Sequence, residues 1–366
     1  MSSFGINVFD FGAKGDGITD DTAAIQSAID FAAKRGGGKI LFPYTSGGYR
    51  IASPGIEKVD GKPVRAQLVI PAGRANIQLE GEMPCRLLNS YIVRPVESVN
   101  NNFVPTTFGT MRTDNTRIFS DWEAPEEYDP TARPWSILAA AEGNSCKGHF
   151  SVGQFSISNL EFRVPMNQSK MYPTQSAVNL QNVSRVNITD CQFCLNEQVG
   201  DTLLGKELQP NPCHTAGLIT SADQNDNNVL RNVAVQGFRY GFVCGEHVVA
   251  DYLYIHNCEE GITFHDCSHL SVIGHIVAQH NTVILSTTAA DLFGMEKGPC
   301  NVLVDTVNFE CGTDLKPAIS ALKYGVSDPD NRLQGSLTWH KPWGKQEFPV
   351  NGAENFKIKQ YSQQIN

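Results

Sequence analysis

From about residue 150 onward, apolar residues recur in short alternating runs rich in Val, Ile and Phe, punctuated by Asn, Asp and Gly. The clearest units begin at Gly217 (GLITSADQNDNNVLRNVAVQGFRY), Gly241 (GFVCGEHVVADYLYIHNCEE) and Gly261 (GITFHDCSHLSVIGHIVAQHNT). Their period is about 20–24 residues, the range of coiled β-solenoids. In each unit an apolar pair, such as Phe242 with Cys244 or Ile262 with Phe264, alternates with outward residues. A second strand follows, marked by Val233 with Val235, Leu253 with Ile255 and Ile273 with Ile276. One such unit buries little, but stacked units join their stripes into a continuous core.

Residues 8–43 carry a different pattern, VFDFGAKGDGITDDTAAIQSAIDFAAKRGGGKILFP. Ala24, Ile25, Ala28, Ile29 and Ala32 recur at helical spacing, and the Gly36-Gly37-Gly38 run ends them before the apolar strand Ile40-Leu41-Phe42. Thr19, Asp20 and Asp21 offer acceptors to the N–H groups of the first turn, so a helix is predicted over about Asp21–Lys34. The Asp10, Asp16, Asp20 and Asp21 run reads as turn formers and helix caps rather than as a catalytic or metal cluster.

The words DFGAKGDGxTDDTAAIQ and GGGKILFP closely resemble the N-terminal module of pectate-lyase-like right-handed parallel β-helix proteins, which include polygalacturonase-like hydrolases, mannuronan epimerases and phage tailspike depolymerases. The resemblance implies an all-β, single-stranded right-handed parallel β-helix with an N-terminal α-helix capping the open end of the coil. The expected organisation is a capping strand-helix-strand module at 1–45, a solenoid over 46–330 with its coils clearest at 150–325, and a C-terminal tail or cap at 331–366. Two stretches break the period: 81–147, long and rich in Pro and aromatics, and 196–216, a polar loop. Loops of this length in a solenoid are usually functional, and these are expected to wall a groove.

Composition narrows the classes. The 366 residues carry a formal net charge of −9 and no clustered Lys and Arg, which excludes a nucleic-acid surface. No apolar run approaches the roughly 20 residues of a membrane span. The start, MSSFGINVFD, lacks the basic and apolar regions of a secretory leader, which leaves cytoplasmic, virion-associated and secreted locations open. Of ten cysteines only Cys191 and Cys194 form a close pair, so a zinc ribbon is not expected and the cysteines read as reduced core residues. No cofactor or metal is expected.

Coil stacking places equivalent residues of successive coils about 4.8 Å apart. Aligning Gly217, Gly241, Gly261 and Thr282 puts Thr215, Arg239, Glu259 and His280 in one outward column and Ala216, Tyr240, Glu260 and Asn281 in the next. Asp201, Glu207 and His214 lie in the bordering loops, and His256 lies nearby. The Glu259-Glu260-Gly261-Ile262 order resembles the polygalacturonase pattern of an acidic pair before such a strand, although no NTD, GHG or RIK word is present. Tyr240-Gly241-Phe242 resembles the start of the epimerase word YGFDPHE but lacks its Asp. Two carboxylates suit glycoside hydrolysis, one as acid and one as base or nucleophile.

The expected activity is therefore cleavage of glycosidic bonds in a polysaccharide or oligosaccharide, with Glu259, Glu260, Tyr240 and His280 as catalytic candidates. Arg239, Asp201, Glu207, His214 and His256 are the substrate-binding candidates. A lyase or epimerase would instead use Tyr240, His280 or Arg239 beside a uronate carboxyl. A third class is a non-catalytic glycan-binding or spike module. The resemblance to phage spikes implies a homotrimer.

Overall fold

A computed structural model describes residues 5–83, 85, 91–92, 107–108, 115–127, 129–142, 152–167, 170, 172–195, 213–220, 227–245, 247–256, 258–264, 270–279, 283–287, 292–295, 301–310, 322–323, 332–340, 350–351 and 356–364. The chain winds as a single-stranded right-handed parallel β-helix. Apart from an antiparallel pair, Tyr91–Ile92 with Thr107–Phe108, its strands form a fifteen-stranded sheet and a ten-stranded sheet, here the long and short sheets, in which successive coils pair parallel. The exception within them is the Ile56–Val59 strand, which pairs antiparallel with Lys62–Ile70.

The long sheet bends. In the Val183–Leu195 strand, residues before the bend pair with Val152–Ser158 and residues after it pair with Glu161–Val164. The bend residue Asp190 has φ 53°, and Asn159, Asn232 and Tyr252 adopt similar left-handed conformations in other coils. Asn and Asp tolerate that region better than most residues. The Asn232 amide also donates to the Asp190 carboxylate at 2.5 Å, tying one bend to the next.

The predicted helix forms at Thr22–Lys34 and buries Ile25, Ala28, Ile29 and Ala32 in the same apolar core as Ile40, Phe42, Leu68 and Ile77. It thereby covers the first coil, as the resemblance implies. Its start differs from the expectation. The Asp21 carboxylate makes no cap bond but accepts the amides of Lys14, at 2.7 Å, and Gly15, at 2.9 Å. Asp20 accepts the Thr22 amide at 3.1 Å instead. Asp16 accepts the Ile18 and Thr19 amides, so these carboxylates hold turns.

Coils begin earlier and end later than the repeat pattern indicates. Gly37–Phe42 already pairs with Gly73–Gly81, and Arg332–His340 pairs with Phe356–Gln364. Within 81–147, Arg117–Ser120 and Ser136–Ala140 are coil strands, the latter between Lys62–Ile70 and Ser176–Asn179 in the short sheet. Cys85, Cys191, Cys194, Cys213, Cys244 and Cys258 are free and buried. Cys194 Sγ lies 3.2 Å from Glu161, whose carboxylate forms a buried ion pair with Arg163 at 2.9 Å.

Candidate functional site

The short sheet supplies the ladder on which the candidate residues stand. Ala216 pairs with Tyr240, Tyr240 with Glu260, and Glu260 with Val283. A Cβ at Gly217 would meet the Val235 side chain at 2.2 Å, and one at Gly241 would meet the Gly261 carbonyl oxygen at 2.4 Å. No larger side chain fits at either position. Phe242 and Ile262 enter the coil core, whereas Tyr240 packs in a separate cluster with Val243, Leu292 and Phe293.

The first three rungs match the predicted column, but the fourth does not. Glu260 pairs with Val283 and Ile262 with Leu285. The predicted alignment, which set His280 beside Glu259 and Asn281 beside Glu260, is thus displaced by two residues. No glycine marks that coil. His280, Asp201 and Glu207 themselves lie outside the described residues.

Five predicted residues come together at one corner. Arg239 and Glu259, from consecutive coils, form an ion pair with Nε and Oε2 3.0 Å apart, and their side chains are 23% and 30% exposed. Arg239 Nη1 lies 3.4 Å from His214 Nε2, and His214 Nδ1 lies 3.2 Å from the Tyr240 hydroxyl. The His214 and Tyr240 rings stack with centroids 6.0 Å apart and planes 18° apart. The Arg239 guanidinium carbon is 6.0 Å from the Tyr240 ring centroid. Glu260 is buried, and its Oε2 accepts from Thr263 Oγ1 at 3.0 Å and from Ser286 Oγ on the following coil.

Electrostatics orders this corner. Burial, followed by the Arg239 charge, draws the His214 imidazole down to about 4, so it is neutral at neutral pH. Burial works against the Arg239 charge, but Glu259 above all, together with Tyr240, Tyr172 and Glu260, raises its pKa above the ordinary value. A guanidinium has no acceptor, so Arg239 donates to His214 Nε2. The neutral ring then carries its proton on Nδ1 and donates to the Tyr240 oxygen. That leaves the phenol's own proton available, and both the imidazole N–H and the nearby guanidinium favour a phenolate should it be lost.

His256 lies elsewhere. It ends a strand of the long sheet, is buried, and its ring packs against Tyr254 with centroids 4.1 Å apart. Sequence reasoning missed Thr263, Ser286 and Phe293. The first two belong to the outward positions of the strands after Glu260 and were legible by alternation, whereas Phe293 reaches the site from outside the coil. Among the described residues no group of three His, Cys, Asp or Glu could hold a metal ion, and no helix is long and apolar enough to cross a membrane.

Residues 5–63 match the family model "Rhamnogalacturonase A/epimerase, pectate lyase-like". Over 55 residues the chain is 64% identical to Alginate lyase 7 of Azotobacter vinelandii, a match covering 15% of this chain and 6% of that protein. Over 55 residues it is 58% identical to Mannuronan C5-epimerase AlgE5 of the same organism, covering 15% of this chain and 5% of that protein. The chain thus matches only a small fraction of these relatives' length. Among solved structures, the tailspike protein of Acinetobacter phage vB_ApiP_P1 aligns with a TM-score of 0.41 at 10% identity, covering 100% of this chain and 60% of that one. The N-terminal residues are thus similar to pectate-lyase-like proteins, and the coils that follow them form a parallel β-helix.

Proposed function

We propose that the chain is a carbohydrate-active enzyme that cleaves a polysaccharide or oligosaccharide at the corner formed by His214, Arg239, Tyr240, Glu259 and Glu260. The observation that carries this reading is the His214–Tyr240 hydrogen bond beside the Arg239–Glu259 ion pair. It joins a neutral imidazole, a polarised phenol and a partly exposed guanidinium, which is the apparatus of proton transfer next to a negative charge. The N-terminal similarity to an alginate lyase and a mannuronan epimerase supports a sugar substrate.

Of the routes open to such an enzyme, elimination from a uronide fits the geometry best. Arg239 faces the uronate carboxylate, Tyr240 as the phenolate takes the proton from the carbon bearing that carboxylate, the released electron pair forms the double bond as the bond to the leaving oxygen breaks, and that oxygen takes the proton from the Tyr240 hydroxyl. The product carries a carbon–carbon double bond. Hydrolysis is the second reading, favoured by the position of Glu259 and Glu260 at the same corner with different partners, an arginine for one and two hydroxyls for the other. Retention needs carboxyl groups about 5 Å apart and inversion roughly 6.5–9.5 Å.

Incubation with uronate and neutral polysaccharides tests the proposal. Elimination yields ultraviolet absorbance from the new double bond together with reducing ends, and hydrolysis yields reducing ends alone. Binding without either product would make the chain a glycan-binding module. The homotrimer expected from the sequence belongs to the same proposal and is tested by light scattering, where a monomeric mass would contradict it.

A further inference from the structure

A tight turn at Leu292–Met295 presses against the outer face of the short sheet. The Met295 amide donates to the Leu292 carbonyl at 2.9 Å. Both central residues, Phe293 at φ 56° and Gly294 at φ 74°, are left-handed, the signature of a type I′ turn. Glycine suits that conformation, but a bulky aromatic residue does not, and such an outlier persists only where its surroundings enforce it. Two contacts from separate parts of the chain do so. The Phe293 amide donates to the Pro130 carbonyl at 2.6 Å, and its carbonyl accepts from Gln181 Nε2 at 2.8 Å.

The enforced conformation aims the ring. Phe293 is 1% exposed and meets Tyr240 edge-to-face, with centroids 6.1 Å apart and planes 86° apart. Leu292 and Met295 are buried in the same cluster with Ala216, Ile219 and Val243. Tyr240 is therefore held between the Phe293 ring and the stacked His214 ring. A phenol free to change rotamer would lose its hydrogen bond to His214. Edge-to-face aromatic contacts add orientation beyond simple burial.

We propose that Phe293 is a positioning residue for the His214–Tyr240 pair, with the left-handed turn at Leu292–Met295 serving to seat its ring against the phenol. This rests on the reading of that pair as the site of proton transfer. A backbone conformation unfavourable for Phe is kept, from outside the coil, at the one corner where the candidate acid–base groups meet.

The test uses the full chain with Phe293→Leu, which keeps apolar bulk but removes the ring, and Phe293→Ala as a second variant. The first readout needs no substrate: His214 is titrated by nuclear magnetic resonance, with its signal assigned by His214→Asn. The wild-type midpoint is expected near 4, and in Phe293→Leu it should rise toward the ordinary imidazole value as the stacked pair loosens. The second readout is turnover, where kcat should fall at least about tenfold with KM changed much less. A purely structural Phe293 would lower thermal stability without moving the His214 midpoint or separating kcat from KM. An unchanged midpoint in both variants overturns the proposal whatever the activity. A shifted midpoint accompanied by full activity of Tyr240→Phe would keep the positioning role and overturn the chemistry assigned to the pair.

Discussion

The hydroxyl of Tyr240 and Nδ1 of His214 lie 3.2 Å apart, and the two rings are nearly parallel although they come from different coils. This contact has a consequence for stability. Burial and then Arg239 depress the folded-state pKa of His214 to about 4, whereas an unfolded imidazole titrates at about 6.5. The unfolded chain therefore binds more protons between these values, and stability rises with pH across the window. The stabilisation is complete above the unfolded value and is lost as pH falls toward the folded one. Thermal midpoints of the wild type should drop across this window, and those of His214→Asn should drop less. Equal slopes would mean that His214 titrates normally.

The buried Glu161–Arg163 pair gives a second prediction. Arg163 Nε and Nη2 engage the two Glu161 oxygens at 2.9 and 3.0 Å, and Asn115 donates to the same carboxylate at 3.3 Å. Glu161→Gln would leave a buried guanidinium without its counter-charge, at a cost of about 3–5 kcal/mol. Urea denaturation should show that loss. The double variant Glu161→Gln with Arg163→Met should recover much of it, because no charge then remains to be buried unpaired.

A third prediction separates the two chemical routes. If Tyr240 transfers the proton, Glu259→Gln and Glu260→Gln should each retain turnover within about tenfold of wild type, since neither carboxylate takes part in bond breaking. A loss of about 10²–10⁴ in either variant, with Tyr240→Phe active, would move the chemistry to the carboxylate pair. Circular dichroism of the Glu260 variant is needed alongside, because that side chain also holds Thr263 and Ser286.

Legibility in the sequence followed the glycines. Gly217 and Gly241 occupy a position where a side chain would strike its neighbours, so the glycine spacing reports the true register and aligns Ala216, Tyr240 and Glu260 correctly. The next coil has Ile284 at that position, and the alignment slipped by two residues. The early coils escaped notice for a related reason: Arg117–Ser120 and Ser136–Ala140 are short strands separated by long connections, so no period links them. Helix Thr22–Lys34 was clear because its apolar spacing is local. That Arg239 and Glu259 share a column followed from stacking alone, whereas Phe293 could not be found that way, since its turn docks by tertiary contact and carries no repeat signal.

Tyr240→Phe on a cleaved polysaccharide is the most direct test of the central claim that Tyr240 transfers the proton at the short-sheet corner. The substitution removes one hydroxyl and leaves the contacts of the ring with His214 and Phe293 in place. Turnover should fall by about 10²–10⁴ with the fold and KM nearly unchanged, and with loss of the double-bond absorbance produced by the wild type. Undiminished turnover by Tyr240→Phe on the same substrate would contradict the account.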